Sequence, residues 1–311
     1  MNRYPRKLMT LAGLLKDSAN EFLKNDPLRM AGATAFFTTF ALPPILVIII
    51  QSLKYFTGPD LIRSRLFDKL RATIGAEAVA QVIDVLNGIH RLADNWWVTI
   101  GGFIFLLFVA TTLFRVIKNS INQLWKIRPV RRASATRTLV TRLKAVVVIL
   151  VAGVLMTVGL MIESMQVLIG KYLFEISPLF SIYFNTVVSS LFSILITTTW
   201  FVIVLRYLPD GKPRWGIAWV GGLLTSLLFM LGRIILHWLL TYSSINYFYT
   251  ASASIVLLLL FVFYSAMILY FGACFTKVWA VHQGHPIEPR PGYLYYRLME
   301  VDSANGSTSP Q

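Results

Sequence analysis

One cysteine, Cys274, stands in a chain of 311 residues, so an intrachain disulfide framework is excluded. Charge is scarce as well, at 14% of residues, where an ordinary soluble domain carries roughly a quarter. Acids are scarcest: Asp and Glu number 14 against 29 Lys and Arg. Only four histidines occur, His90, His237, His282 and His285. The HQGH stretch at 282–285 lies beside Pro286 in a polar tail with no cysteine cluster nearby, and reads as surface rather than as a metal site. A glycine-rich phosphate loop, a nucleophile elbow and a paired-histidine zinc helix are all missing. Hydrolytic chemistry therefore has no positive support, and neither an enzyme nor any metal or cofactor is expected. No internal repeat supports an inverted-repeat transporter. Lys16, Asp17, Glu21 and Lys24 interrupt the region after Arg3, Arg6 and Lys7, so a cleavable signal peptide is not expected either.

What remains is apolar. Hydrophobic residues make up 56% of the chain, and the mean hydropathy is +0.64. Several runs exceed the roughly 20 residues needed to cross a hydrocarbon core, and they are continuous rather than alternating, which excludes a β-barrel. The expected fold is all-α: a polytopic membrane protein with six transmembrane helices. Expected spans are about 30–53, 97–114, 145–168, a stretch within 178–205, and two more between Trp215 and Ala280, joined by the aromatic connection TYSSINYFYT. The last two enclose Arg233, the one charge between Arg214 and Lys277. Expected organisation is an amphipathic N-terminal segment at 1–29, a transmembrane domain at 30–280, and a partly disordered tail at 281–311. In the first segment Leu8, Leu11, Leu15, Ala19 and Phe22 fall at helical spacing, which suits a helix in the membrane interface or one packed on the bundle. The outer loop 54–95 has two similar sets, Leu61, Ile62, Leu66 and Leu70, then Val79, Val82, Ile83, Leu86 and Ile89. Pro43 and Pro44 remove two helix donors and predict a kink or break in the first span, with a tolerated kink as the plainer alternative.

Net charge is +15, a figure compatible with nucleic-acid binding until its distribution is considered. Most basic residues fall in the N-terminal segment, the acid-free loop 115–144, the turn 206–214 and the tail, all on one side of a six-span topology. The other side holds Lys54, Arg63, Arg65, Lys69, Arg71, Arg91 and Lys171. The positive-inside rule then places both termini in the cytoplasm. Attraction to anionic headgroups accounts for the excess charge, and no nucleic-acid partner is expected.

That topology puts Arg233 towards the outer leaflet. Glu163 and Gln51 reach a similar depth, and Asn185 and His237 can share it. Intramembrane ionisable groups are functional candidates because burying them unpaired costs several kcal/mol. Three readings stay open: Arg233 snorkels outward while Glu163 is solvated, the two form a structural pair, or Arg233 holds an anionic group, for which its forked guanidinium is suited. Gly221, Gly222, Thr225 and Ser226, with the Ala251–Ser254 run, provide small faces for helix packing.

The sequence NDPLRMAGATAFFTTFALPPILVII resembles the opening of the YihY/BrkB family of bacterial inner-membrane proteins. So do RVIKNSINQLWKIRP, RYLPDGKPRWGIAWVGGLLTSLLFMLGR and YTASASIVLLLLFVFYSAMILYFGACFTKVWA, in the same order, and the similarity covers about residues 10–285. The resemblance implies six helices in the bacterial inner membrane and no settled activity. Members have been linked to serum resistance and envelope integrity, transport of lipids or small molecules has been suggested, and an older ribonuclease label finds no chemistry here. Arg233 matches a position that is commonly basic in the family. Met267 and Cys274 stand where relatives often carry Gln and Glu, so a role for a carboxylate there does not carry over. The expected function is transport or lipid handling, with anionic membrane lipids as partners. The alternative is a non-transporting envelope scaffold, and ribonuclease activity is the remotest reading. Protein partners are unassigned and homo-oligomerisation is left open.

Overall fold

The computed structural model describes residues 11–53, 67–68, 71, 79–80, 83, 96–130, 143, 147–148, 150–155, 158–159, 162, 178–242, 253–297, 299–301 and 308–310. They are mostly helical. The helices are α1 (Leu11–Leu23), α2 (Pro27–Leu53), α3 (Trp96–Leu124), α4 (Pro178–Tyr207), α5 (Trp215–Tyr242) and α6 (Ala253–His282). Described residues between 147 and 162 are also helical, with Val148, Gly153 and Gly159 buried. Pro27 and Pro178 open α2 and α4, where a missing N–H costs nothing. Asp26, at φ 51°, turns the chain between α1 and α2, a conformation that Asp tolerates better than most residues.

Among the described residues, three helical stretches are long and apolar enough to cross a membrane: Val187–Tyr207, Trp215–Ile235 and Leu258–His282. Central among them is α6, which packs against α1, α2, α3 and α5, while α4 packs on α5 and α2 on α3. Two reciprocal notches join α5 to α6. A side chain at Gly221 would strike Thr276, and one at Gly272 would strike Thr225. Each threonine hydroxyl donates to the carbonyl of the glycine one turn earlier on its own helix, Thr225 to Gly221 at 2.7 Å and Thr276 to Gly272 at 2.7 Å. Small residues thus bring the backbones together while the hydroxyls stay satisfied in an apolar setting. Tyr270 of α6 ties in two more helices, through Thr34 of α2 at 2.5 Å and Ser120 of α3.

Several expectations are corrected. α2 runs unbroken through Pro43-Pro44, so the discontinuous-helix reading fails. Two prolines free only the carbonyls of residues 39 and 40, and a helix in an apolar setting has no better use for its other backbone groups. α3 continues to Leu124, ten residues into the expected basic loop. Phe114, Ile121 and Leu124 keep the helical spacing there and are buried. In α1 the buried face is Leu14, Ser18 and Phe22, while Leu11 is exposed. Ser18 tolerates burial because its hydroxyl donates to Leu14 O at 2.6 Å. Phe22 then meets Phe271 of α6 edge-on at 5.8 Å, so α1 packs on the bundle. Phe67 and Val79, from the expected outer loop, are helical and bury against Ala35, Leu258 and Val262.

Short antiparallel ribbons also occur, so the fold is not purely helical. β1 (Ile127–Pro129) pairs with β4 (Tyr293–Tyr295), β2 (Gly211–Lys212) with β3 (Glu288–Pro289), and β5 (Met299–Val301) with β6 (Thr308–Pro310). The described part of the tail is therefore ordered. Ile287 is buried in the main core beside Gly211 and anchors the β2–β3 ribbon, whereas residues 302–307 and 311 of the expected disordered end lie outside the described residues.

Candidate functional site

α5 presents one continuous apolar face to the outside. Val220, Leu223, Leu227, Leu231, Ile234 and Trp238 recur at steps of three and four, and all are exposed. The opposite face is the packed one. Gly221, Thr225 and Ser226 are buried there, Gly222 lies under Val202 of α4, and Gly232 lies under Tyr264 and Ile268 of α6. Exposed Trp215 and Trp219 bound the apolar face at one end and Trp238 at the other. Nineteen residues of helix separate Trp219 from Trp238, about 29 Å at 1.5 Å per residue, and a hydrocarbon core is about 30 Å thick. Tryptophans at that separation match the aromatic belts of a bilayer.

Arg233 lies on this exterior. Its side chain is exposed, and it sits five residues before Trp238, about 8 Å inward along the helix. A long cationic side chain at that depth reaches the polar boundary while its stem stays in hydrocarbon. The other predicted site residues are located only by backbone. Gln51 is in the last turn of α2, Asn185 in α4, and His237 in α5, one turn after Arg233. Their side chains, like those of Pro43 and Pro44, lie outside the described residues, and so does Glu163 altogether. The grouping of these residues around Arg233 falls outside the description for the same reason.

Sequence reasoning missed the polar structure at the opposite end. Asp210, in the turn after α4, is buried. Its carboxylate accepts from Lys118 Nζ at 2.9 Å and from Asn122 Nδ2 at 2.7 Å. Its backbone N–H donates to Asn122 Oδ1 at 2.8 Å, and its carbonyl accepts from Arg290 N–H at 2.8 Å. One residue thus fastens α3, the α4–α5 turn and the tail. A signal existed: Asp210 is the one acid between Glu175 and Glu288, opposite an acid-free basic stretch.

A second node joins α1, α3 and α6. Lys277 Nζ contacts Glu21 Oε1 at 2.6 Å and donates to Leu124 O at 2.9 Å, while Lys126 Nζ donates to Asn25 Oδ1 at 2.8 Å. Trp125 Nε1 donates to Ala273 O at 2.9 Å. Burial pushes the Glu21 carboxyl up, but the Lys277 hydrogen bond and charge, helped by Lys126 and Lys24, hold it below its ordinary range. Burial lowers the Lys126 ammonium more than Glu21 raises it. His282 and His285 are both exposed, and no cluster of three or more metal-binding side chains occurs among the described residues.

Comparison with known proteins supplies the remaining observations. A family described as Virulence factor BrkB matches residues 18–291. A "UPF0761 membrane protein" of Saccharophagus degradans is 23% identical over 264 residues, covering 84% of this chain and 58% of the relative. Its namesake in Stenotrophomonas maltophilia is 24% identical over 289 residues, covering 91% of this chain and 65% of the relative. One from Mannheimia succiniciproducens is 23% identical over 265 residues, covering 83% of this chain and 86% of the relative. The chain thus spans only 58% and 65% of the length of the first two relatives. No solved structure matches.

Proposed function

The chain is a membrane protein that belongs to the Virulence factor BrkB family, and from that premise we propose that it handles or transports an anionic amphiphile, through Arg233. The proposal includes six spans in the bacterial inner membrane: α2, α3, the helical stretch between 147 and 162, α4, α5 and α6. Both termini face the cytoplasm in this reading, which the basic excess around 115–132, 206–214 and the tail supports. It assigns no catalytic residue.

The observation that carries the proposal is the placement of Arg233. It is the one formal charge in the long apolar stretch 215–276, exposed on the outer face of α5, one helical turn and a little more from a tryptophan. Arginine keeps its charge at any accessible pH and forks onto phosphate or carboxylate. A lipid whose tails lie along Leu227–Trp238, about half of that face, brings its headgroup to that level.

The test is reconstitution of the full chain in liposomes containing a fluorescent phosphatidylglycerol, with dithionite reporting transbilayer exchange. Wild-type protein accelerates exchange; Arg233→Ala abolishes the acceleration, and Arg233→Lys retains part of it. Equal exchange by wild type and Arg233→Ala would remove Arg233 from the function.

A further inference from the structure

The far end of the same helix carries a second cationic site, built differently. Arg206 closes α4 and Trp215 opens α5, with the turn 208–214 between them. The Arg206 guanidinium lies 4.2 Å from the centroid of the Trp215 ring, close enough for a cation–π contact. Tyr207 meets Trp215 edge-on at 6.2 Å, and both rings are about half exposed. Arg206 itself is 8% exposed. Of its five N–H donors, one Nη reaches Pro213 O, while Nε, also buried, has no hydrogen-bond partner. A buried charged donor left unmatched is costly.

Charge around this arginine is mostly positive: Glu288, exposed and opposite Lys212 across the β2–β3 ribbon, is outnumbered by Arg206, Lys212, Arg214 and Arg290. Arg290 Nη2 donates to Arg206 O at 3.1 Å and approaches Tyr207 O at 3.4 Å. Lys212 and Arg214 in the turn are exposed. The acid of the turn, Asp210, is already engaged by Lys118 and Asn122. Directly beyond Trp215 begins the apolar exterior of α5, with Trp219, Val220 and Leu223 exposed.

We infer that Arg206, Tyr207, Lys212, Arg214, Trp215 and Arg290 form a docking surface for the phosphate headgroup of an anionic phospholipid in the leaflet opposite to Arg233. Two requirements select that occupant. Unbalanced positive charge with an unmatched guanidinium donor calls for a phosphate. Half-exposed indole and phenol rings bordering a hydrocarbon-facing helix surface call for acyl chains beside it. An acidic peptide meets the first requirement and not the second. The surface stands independently of any role for Arg233.

The experiment is native mass spectrometry of the full chain in detergent, offered phosphatidylglycerol or phosphatidylcholine with identical acyl chains, with inorganic phosphate as competitor. The wild-type chain retains phosphatidylglycerol preferentially. Arg206→Gln lowers that retention about fivefold, and Lys212→Gln/Arg214→Gln lowers it by about fivefold for each charge removed, as expected for basic residues at an anionic surface. The difference between wild type and Arg206→Gln persists in an Arg233→Ala background, which separates this site from the one proposed above. Should Arg206→Gln fail to fold, the exposed double variant decides alone, since neither side chain is buried. Equal retention of the two lipids, an unchanged preference in Lys212→Gln/Arg214→Gln, or complete displacement by equimolar inorganic phosphate would each overturn the assignment.

Discussion

Neutralising Asp210 removes the counter-charge from a buried ammonium, and the cost follows from the surroundings. The Asp210 and Lys118 side chains are 5% and 10% exposed, so water screens the pair little. Breaking such a pair from one side costs about 3–5 kcal/mol because the survivor stays charged and desolvated. Asp210→Asn preserves shape and keeps an acceptor for Asn122 but turns its amide NH2 towards Lys118 Nζ, so the loss of both charge and acceptor falls on Lys118. Lys118 would retain the Tyr293 ring, 5.8 Å away, a contact worth about 0.5–2 kcal/mol and too weak to replace a carboxylate at 2.9 Å. The predicted loss for Asp210→Asn is therefore about 3–5 kcal/mol. Lys118→Met should also destabilise, while the double variant Lys118→Met/Asp210→Asn should recover at least half of the summed losses, because no unpaired charge remains. Equilibrium unfolding in mixed micelles, followed by tryptophan fluorescence, measures all three. An Asp210→Asn loss below about 0.5 kcal/mol, the scale of an exposed pair, would refute the reasoning. So would a double variant whose loss equals the sum of the singles.

Other outcomes follow from the same geometry. Gly221→Ala drives a methyl into Thr276 and should cost about 1–3 kcal/mol; adding Thr276→Ala should return part of it, and the same unfolding assay reads both. Trp125→Phe removes the bond to Ala273 O and should cost about 0.5–1.5 kcal/mol, the net worth of one hydrogen bond, because that carbonyl keeps its bond within α6. Because the Glu21 carboxyl titrates below its unfolded value of 4.5, its contribution is present above that pH and is lost as pH falls further towards the folded pKa. Amide hydrogen exchange in α1, corrected for the intrinsic rate at each pH, should therefore rise on acidification in the intact protein. In Glu21→Gln it should already be raised at neutral pH and change less.

Legibility in the sequence tracked how each feature is encoded. Apolar runs identify α4, α5 and α6 because a backbone in hydrocarbon has little choice but the helix. The Gly221–Thr225 packing face was legible for a related reason, since small residues one turn apart have few other uses. Its partner face on α6, Gly272 and Thr276, was not, because the same pattern there sits among large aromatics. Composition misled at 115–124, where charge suggested a loop although Phe114, Ile121 and Leu124 continue the helical spacing. At 208–214 the expected turn is present, but composition does not record that Leu208, Pro209, Asp210, Gly211 and Pro213 are enclosed while Lys212 and Arg214 are exposed. Burial there depends on partners 80 or more residues away, Lys118 and Asn122 on one side and Arg290 on the other. No local pattern records such a pairing.

The outer face of α5 changes what Arg233 means. From the sequence alone, snorkelling, a pair with Glu163 and an anionic ligand all stay open for Arg233. The exposed row from Val220 to Trp238 instead puts the arginine on the exterior, about 8 Å along the axis from the Trp238 level. At that depth the headgroup region is within reach of the guanidinium, and a buried ion pair is not needed to make the position tolerable. The cationic group at the Trp215 end then stands one hydrocarbon thickness away along the same surface. A single lipid cannot bridge both, because its headgroup occupies one interface at a time. In the proposed reading, two such sites on one helix engage the two leaflets separately, and lipid handling then needs a route between them. Apart from Arg233, the described exposed side chains of α5 from Trp219 to Trp238 are apolar, so in the proposed reading headgroup passage runs along another surface of the bundle.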